Sequence, residues 1–196
     1  MTSHHALPTF RLAPGTGIAQ SQPAAVARVT LDSPALAVMT DLTQVKAATV
    51  APGATLRHAE QTMVYQGVRM LFVVGETPSV IGLITTTDLQ GERPMRRVHE
   101  RSSHYDELIV ADVMTELASI DAIDHDLMRG ATVGEVISTL QRFGRNHLLV
   151  VQKATAATPH RIRGVLSRAQ IERQLGEPVD VTPIATSFSE IERALV

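Results

Sequence analysis

Residues 54–74, ATLRHAEQTMVYQGVRMLFVV, and residues 131–151, ATVGEVISTLQRFGRNHLLVV, align without a gap. Around them, VMTDL at 38–42 recurs as VMTEL at 113–117, and IGLITTTDL at 81–89 parallels RGVLSRAQI at 163–171. One structural unit is therefore present twice, and such a duplication governs the architecture before any single residue does. The second copy is longer before its first helix and in the loop 152–163, where added length is tolerated because loops run over the surface.

Each copy has the same rhythm. Leu56, Ala59, Met63, Val64 and Gly67 fall at helical spacing, as do Val133, Val136, Ile137, Leu140 and Gly144. The terminal glycines suit a left-handed C-cap. The short apolar runs that follow, 70–74 and 148–151, read as buried strands. Second strands are expected at 80–84 and 162–166, and second helices from Thr85 and Ser167. A β-α-β-β-α unit of about 50–60 residues cannot bury both faces alone, so the copies should pack together. The predicted fold is α/β (α+β), with two β-α-β-β-α repeats packed as a pseudo-twofold intramolecular pair. Residues 1–34 read as an extended or mobile arm, with a short strand at 26–31. Repeat one spans 35–92, a linker 93–110 and repeat two 111–176. A tail, 177–196, carries a short helix with Phe188, Ile191 and Leu195 on one face.

This order of VMT segment, Ala-Thr helix, Gly, apolar strand and Gly-apolar-apolar-Thr/Ser-x-x-Asp resembles a tandem pair of CBS domains over roughly 38–175. Family members usually carry Pro where Phe72 and Leu149 stand. The most informative stretch is Gly82-Leu83-Ile84-Thr85-Thr86-Thr87-Asp88. A strand ends and a helix begins there, exposing free N–H groups that attract anions. A Thr hydroxyl can donate to phosphate, and Asp88 is a good acceptor for a vicinal diol. The resemblance implies those roles for Thr85 and Asp88. The same Thr-x-x-Asp also serves as a helix-capping arrangement, and Gly82 also serves to let its strand approach a neighbour closely.

The second copy keeps Ser167 but has Gln170 where Asp is expected, a weaker diol clamp. Two unequal sites follow, the first competent and the second weak. In related pairs each site borrows from the other repeat. That implies Asn146 and His147 beside Thr85, Asp88 and Gly82, and Arg69, Thr43 and Ala48 facing Ser167 and Gln170. Arg69 offers a fork that matches phosphate.

Composition excludes other classes. The chain of 196 residues is 44% hydrophobic with mean hydropathy +0.06, four Phe, two Tyr and no Trp. A net charge of −2 and few aromatics argue against a nucleic-acid polymer as partner. Without Cys there is no disulfide framework or thiolate chemistry. No apolar run approaches a membrane span and the first residues lack a signal-peptide core, so a cytoplasmic protein with no membrane partner is expected. Asp121, Asp124, His125 and Asp126 read as a solvated loop, with no metal site expected. The basic run Arg93, Arg96, Arg97 and Arg101 reads as an exposed linker or helix end, the alternative being a source of positive potential near a phosphate.

Nucleophile-elbow, phosphate-loop, dinucleotide and zinc-protease motifs are absent, so no catalytic residues and no enzyme are expected. The expected function is a stand-alone regulatory pair that senses an adenosine-containing ligand between its repeats. AMP or ATP comes first, with S-adenosylmethionine or NAD next, and no cofactor is required. A homodimer and an unidentified regulated protein are the expected partners. The alternative is a ligand-free CBS-pair dimerisation or assembly module.

Overall fold

Alternation along the apolar strands divides the interior into three clusters. The computed structural model describes residues 7–17, 27–76, 79–155 and 158–181. In chain order these form β1 (Met39–Asp41), β2 (Thr49–Val50), α1 (Leu56–Gln66), β3 (Met70–Val74), β4 (Val80–Thr85), α2 (Thr86–Gln90) and α3 (Glu92–Arg101). There follow α4 (Val110–Val113), β5 (Thr115–Glu116), β6 (Ala122–Asp124), α5 (Val133–Phe143), β7 (His147–Gln152), β8 (Arg161–Ser167) and α6 (Arg168–Leu175). Leu71 and Val73 of β3 pack with Leu56, Ala59 and Met63 of α1 and Ile84 of β4. Met70 and Phe72, out of phase by one residue, pack across the repeat boundary with Leu149 and Val165. In the second copy Leu148, Val150 and Leu166 join Val133, Val136 and Leu140 of α5. A period of two sends successive side chains to opposite faces, so an unbroken apolar strand must be covered on both. The third cluster is the seam that joins the repeats, and Phe72 and Leu149 are buried in it.

The mixed α+β fold is as the repeat predicts, but its sheets are not each drawn from one repeat. One sheet runs β2-β3-β4-β5 and the other β6-β7-β8-β1, the same order in both. In each, the first pair is parallel and the rest antiparallel. The second copy's VMT segment, as β5, pairs Thr115 with Leu83 and Glu116 with Gly82. The first copy's, as β1, pairs Met39 with Leu166 and Asp41 with Gly164. A Cβ at Gly82 would lie 2.5 Å from the Thr115 carbonyl oxygen, and one at Gly164 2.6 Å from the Met39 side chain. Each glycine thus admits the strand lent by the other repeat.

Through this exchange β1 closes the second sheet and β5 the first. The expected linker 93–110 holds α3, and its Leu108 and Val110 are buried with Val113 in the first repeat's core. In the expected arm, residues 7–17 are exposed, whereas Val29 joins the second core and donates its N–H to the Gln174 carbonyl at 3.1 Å. Residues 27–31 form no strand, because that backbone bonds to a helix end instead of a sheet. Val179 is buried in the second core, while the tail helix expected around Phe188, Ile191 and Leu195 lies outside the described residues.

Gly67 and Gly144 end α1 and α5 in the left-handed conformation at φ 65° and 56°. Val64, expected on the core face of α1, is 78% exposed. Leu56, Ala59 and Met63 set that face, and Val64 lies a step beyond it. Among the described residues no helix is long and apolar enough to cross a membrane.

Candidate functional site

The ends of β4 and β8 turn into helices at Thr85 and Ser167, and each turn opens a cleft against the other repeat. The first cleft is a cavity of about 150 Å³. It brings together Thr85, Asp88, Asn146 and His147 as expected from the resemblance, with Thr115, Ser119 and Asp121 from the second repeat. Gly82 does not line it, because its missing side chain is used by the close approach of Thr115.

Asp88 is already committed. Its Oδ2 accepts from the Thr85 N–H at 2.9 Å and the Thr85 hydroxyl at 2.7 Å, while the Asp88 N–H donates back to that hydroxyl at 3.2 Å. This reciprocal capping box starts α2, a helix of only five residues. The other oxygen, Oδ1, accepts from Arg93 Nη1 at 3.1 Å.

The second cleft is larger, about 620 Å³, and Ala48, Arg69, Ser167 and Gln170 line it together. Lys46 and Arg173 add two further cations, no carboxylate of the described residues lies on its walls, and Leu42, Val45, Phe72 and Val165 supply an apolar floor. Thr43 does not line it. Its N–H and hydroxyl donate to Asp41 Oδ1 at 2.8 and 2.7 Å, and its hydroxyl accepts from Arg163 at 2.6 Å. Those two Thr43 bonds, with Arg163 alongside, hold the Asp41 carboxyl below its usual range. Gln170 is also engaged, donating to Gln174 Oε1 at 3.2 Å and accepting from Arg173. Ser167 makes no side-chain capping bond, so its hydroxyl is not tied up as that of Thr85 is. The second cleft is thus the roomier and the more positively lined of the two.

Between the clefts lies a cavity of about 170 Å³ lined by Arg69, Asn146, His147 and Arg168, with Thr86, Thr87 and Ser167. His147 lines both clefts as well. Burial, then the charge of Arg69, lowers its pKa to about 4, against an upward pull from Asp88 and with a further lowering by Arg168. The ring is therefore neutral near pH 7. Among the described residues Asn146 Oδ1 is buried without a hydrogen-bond partner. Such an acceptor is costly unless a donor meets it.

Lys46 and Arg173 were not singled out from the sequence, and Arg93 was read only as part of an exposed basic run. Arg173 stands at i+3 from Gln170 on one helix, a spacing that carries the signal. Arg93 follows a helix break at Gly91, which hides its proximity to Asp88. In the acidic loop, Lys153 bonds Asp124 at 2.8 Å and lowers its pKa. Among the described residues no group of three or more His, Asp or Glu is placed to hold a metal ion.

Comparison with known proteins places residues 37–93 in the CBS domain family model. No curated protein matches the chain. Among solved structures, an uncharacterised conserved protein from Pyrococcus horikoshii is 21% identical, with a TM-score of 0.53 over 73% of this chain and 92% of that one. CBSX2 in complex with AMP is 19% identical, with a TM-score of 0.50 over 72% and 93%. A CBS-domain containing protein from Agrobacterium tumefaciens is 16% identical, with a TM-score of 0.50 over 68% and 88%.

Proposed function

From a chain whose first repeat is a CBS domain and whose fold is that of CBS-domain proteins, we propose a regulatory module that binds an anionic, adenosine-containing ligand between its repeats. The observation that carries this reading is the cleft of about 620 Å³ with Lys46, Arg69 and Arg173 on its walls and, among the described residues, no carboxylate. An apolar floor suits a base, and three cations suit a phosphate or another anion. Outside that cleft, on the first cleft and the intervening cavity, the unpartnered Asn146 Oδ1 supports a ligand between the repeats, since an amino or hydroxyl donor satisfies that atom. AMP and ATP fit this chemistry first, S-adenosylmethionine and NAD next. The larger cleft is the primary site, and the Thr85/Asp88 cleft the conditional one.

A ligand shifts a conformational equilibrium only through unequal affinity for its states, and one bridging the repeats acts through the seam they share. The homodimer and the regulated protein partner belong to this reading. Val64 and Tyr65, 78% and 92% exposed on α1, form the apolar surface available to a second copy. The alternative, a ligand-free assembly module, is favoured by one observation: Thr85 and Asp88 satisfy each other in a capping box.

Thermal unfolding of the full chain with AMP, ATP, S-adenosylmethionine and NAD separates the two. At a hundredfold excess over its dissociation constant, the right ligand adds about 2.7 kcal/mol of stability. An unchanged melting temperature with all four at millimolar concentration would leave the assembly reading in possession.

A further inference from the structure

Arg93 Nη1 makes three contacts from the first turn of α3: Asp88 Oδ1 at 3.1 Å, Thr115 Oγ1 at 2.9 Å and the Val113 carbonyl at 3.4 Å. Asp88 lies on the first repeat's α2, whereas Thr115 lies on β5, the strand lent by the second. One guanidinium therefore ties the two repeats together across the wall of the first cleft. Asp88 and Thr115 line the cavity of about 150 Å³, and Arg93 lines a neighbouring cavity of about 330 Å³ that shares Thr115 and Ser119. Arg93 stands on the partition between them.

We infer that Arg93 is an affinity-determining latch on the first cleft, competing with a ligand's vicinal diol for Asp88. This rests on the reading that the cleft takes an adenosine-type ligand. An ionised carboxylate offers about four acceptor sites; Thr85 takes the two on Oδ2 and Arg93 one on Oδ1, so a diol bringing two donors finds one site open and must displace the guanidinium to place both. The Asp88 side chain is 15% exposed but that of Arg93 is 50% exposed. The cation, not the carboxylate, is the partner that can leave for water at small cost. When it leaves, α3 loses its bond to Thr115 across the cleft wall, while Arg97 and Arg101 still hold it to Asp112.

The probe is adenosine, which carries the diol but no phosphate, so loss of a cation does not itself weaken binding by charge. Calorimetric titration of full-length wild type, Arg93→Ala and Arg93→Gln should show about three- to fivefold tighter binding in both variants, as expected for release of a part-exposed ion pair. The gain should vanish for 2′,3′-dideoxyadenosine and when Asp88→Asn is added. Arg93→Gln keeps most of the side-chain stem and guards against a folding defect in the alanine variant. Unchanged or weaker adenosine binding in both variants, with wild type binding normally, overturns the latch and leaves the ligand reading standing. A gain that persists with dideoxyadenosine also overturns it. If neither wild type nor the variants bind adenosine or AMP, the ligand reading itself falls and takes the latch with it.

Discussion

His147 shows how one side chain's surroundings set a measurable property of the whole protein. It begins β7, faces both clefts, and meets Arg69, Asp88 and Arg168. Burial, reinforced by Arg69, lowers its pKa from 6.5 to about 4. Below pH 6.5 the unfolded chain therefore takes up a proton that the native ring refuses until about pH 4. Stability from this group is complete above 6.5, is lost as pH falls through that window, and is level below it. At about 1.36 kcal/mol per unit the loss amounts to roughly 3 kcal/mol. Urea unfolding of wild type and His147→Gln, compared from pH 7.5 to 4, should give a difference that changes by that amount. A difference independent of pH would show that the ring titrates normally. The residue types at this site were legible in the sequence: Thr85, Asp88, Asn146 and His147 do share one cleft. Their engagements were not. That Asp88 is filled by Thr85 and Arg93 depends on rotamers and on a helix break at Gly91, neither of which spacing reveals.

At the scale of elements, strands and helices followed from local pattern, and the pairing of strands did not. Met70–Val74 is a strand because five apolar residues in a row need cover on both faces, and Gly67 ends α1 because a left-handed turn must precede that strand. The VMT segments are only two or three residues of strand each, too short to carry a register of their own. Their partners lie far along the chain, in the other copy, which no local pattern reveals. Gly82 and Gly164 were the available signal, since glycine inside a strand often marks a close backbone approach. Gly82→Ala should therefore destabilise the fold by about 2 kcal/mol, through displacement of β5 from Thr115. Chemical denaturation reads this directly. A loss below about 0.5 kcal/mol would mean that β5 is free to move away at little cost.

The whole molecule is symmetric in its backbone and asymmetric in its chemistry. Both sheets have the same order, and both copies present a strand-to-helix turn to a cleft. The duplication made that scaffold readable, because the same pattern had to fold twice. The clefts differ through residues the repeat does not equate: Arg93 closes on Asp88 in one, while Lys46, Arg69 and Arg173 leave the other wide and positive. Comparing Asp88 with Gln170 alone points to the first cleft, and the arrangement of neighbouring charges points to the second. The test is a calorimetric titration of AMP into the full chain, wild type against Arg69→Ala. Binding in wild type, weakened about tenfold or more in the variant, is the predicted result for a charge-assisted contact inside the larger cleft. Equal affinity in the two proteins would contradict a primary site in that cleft.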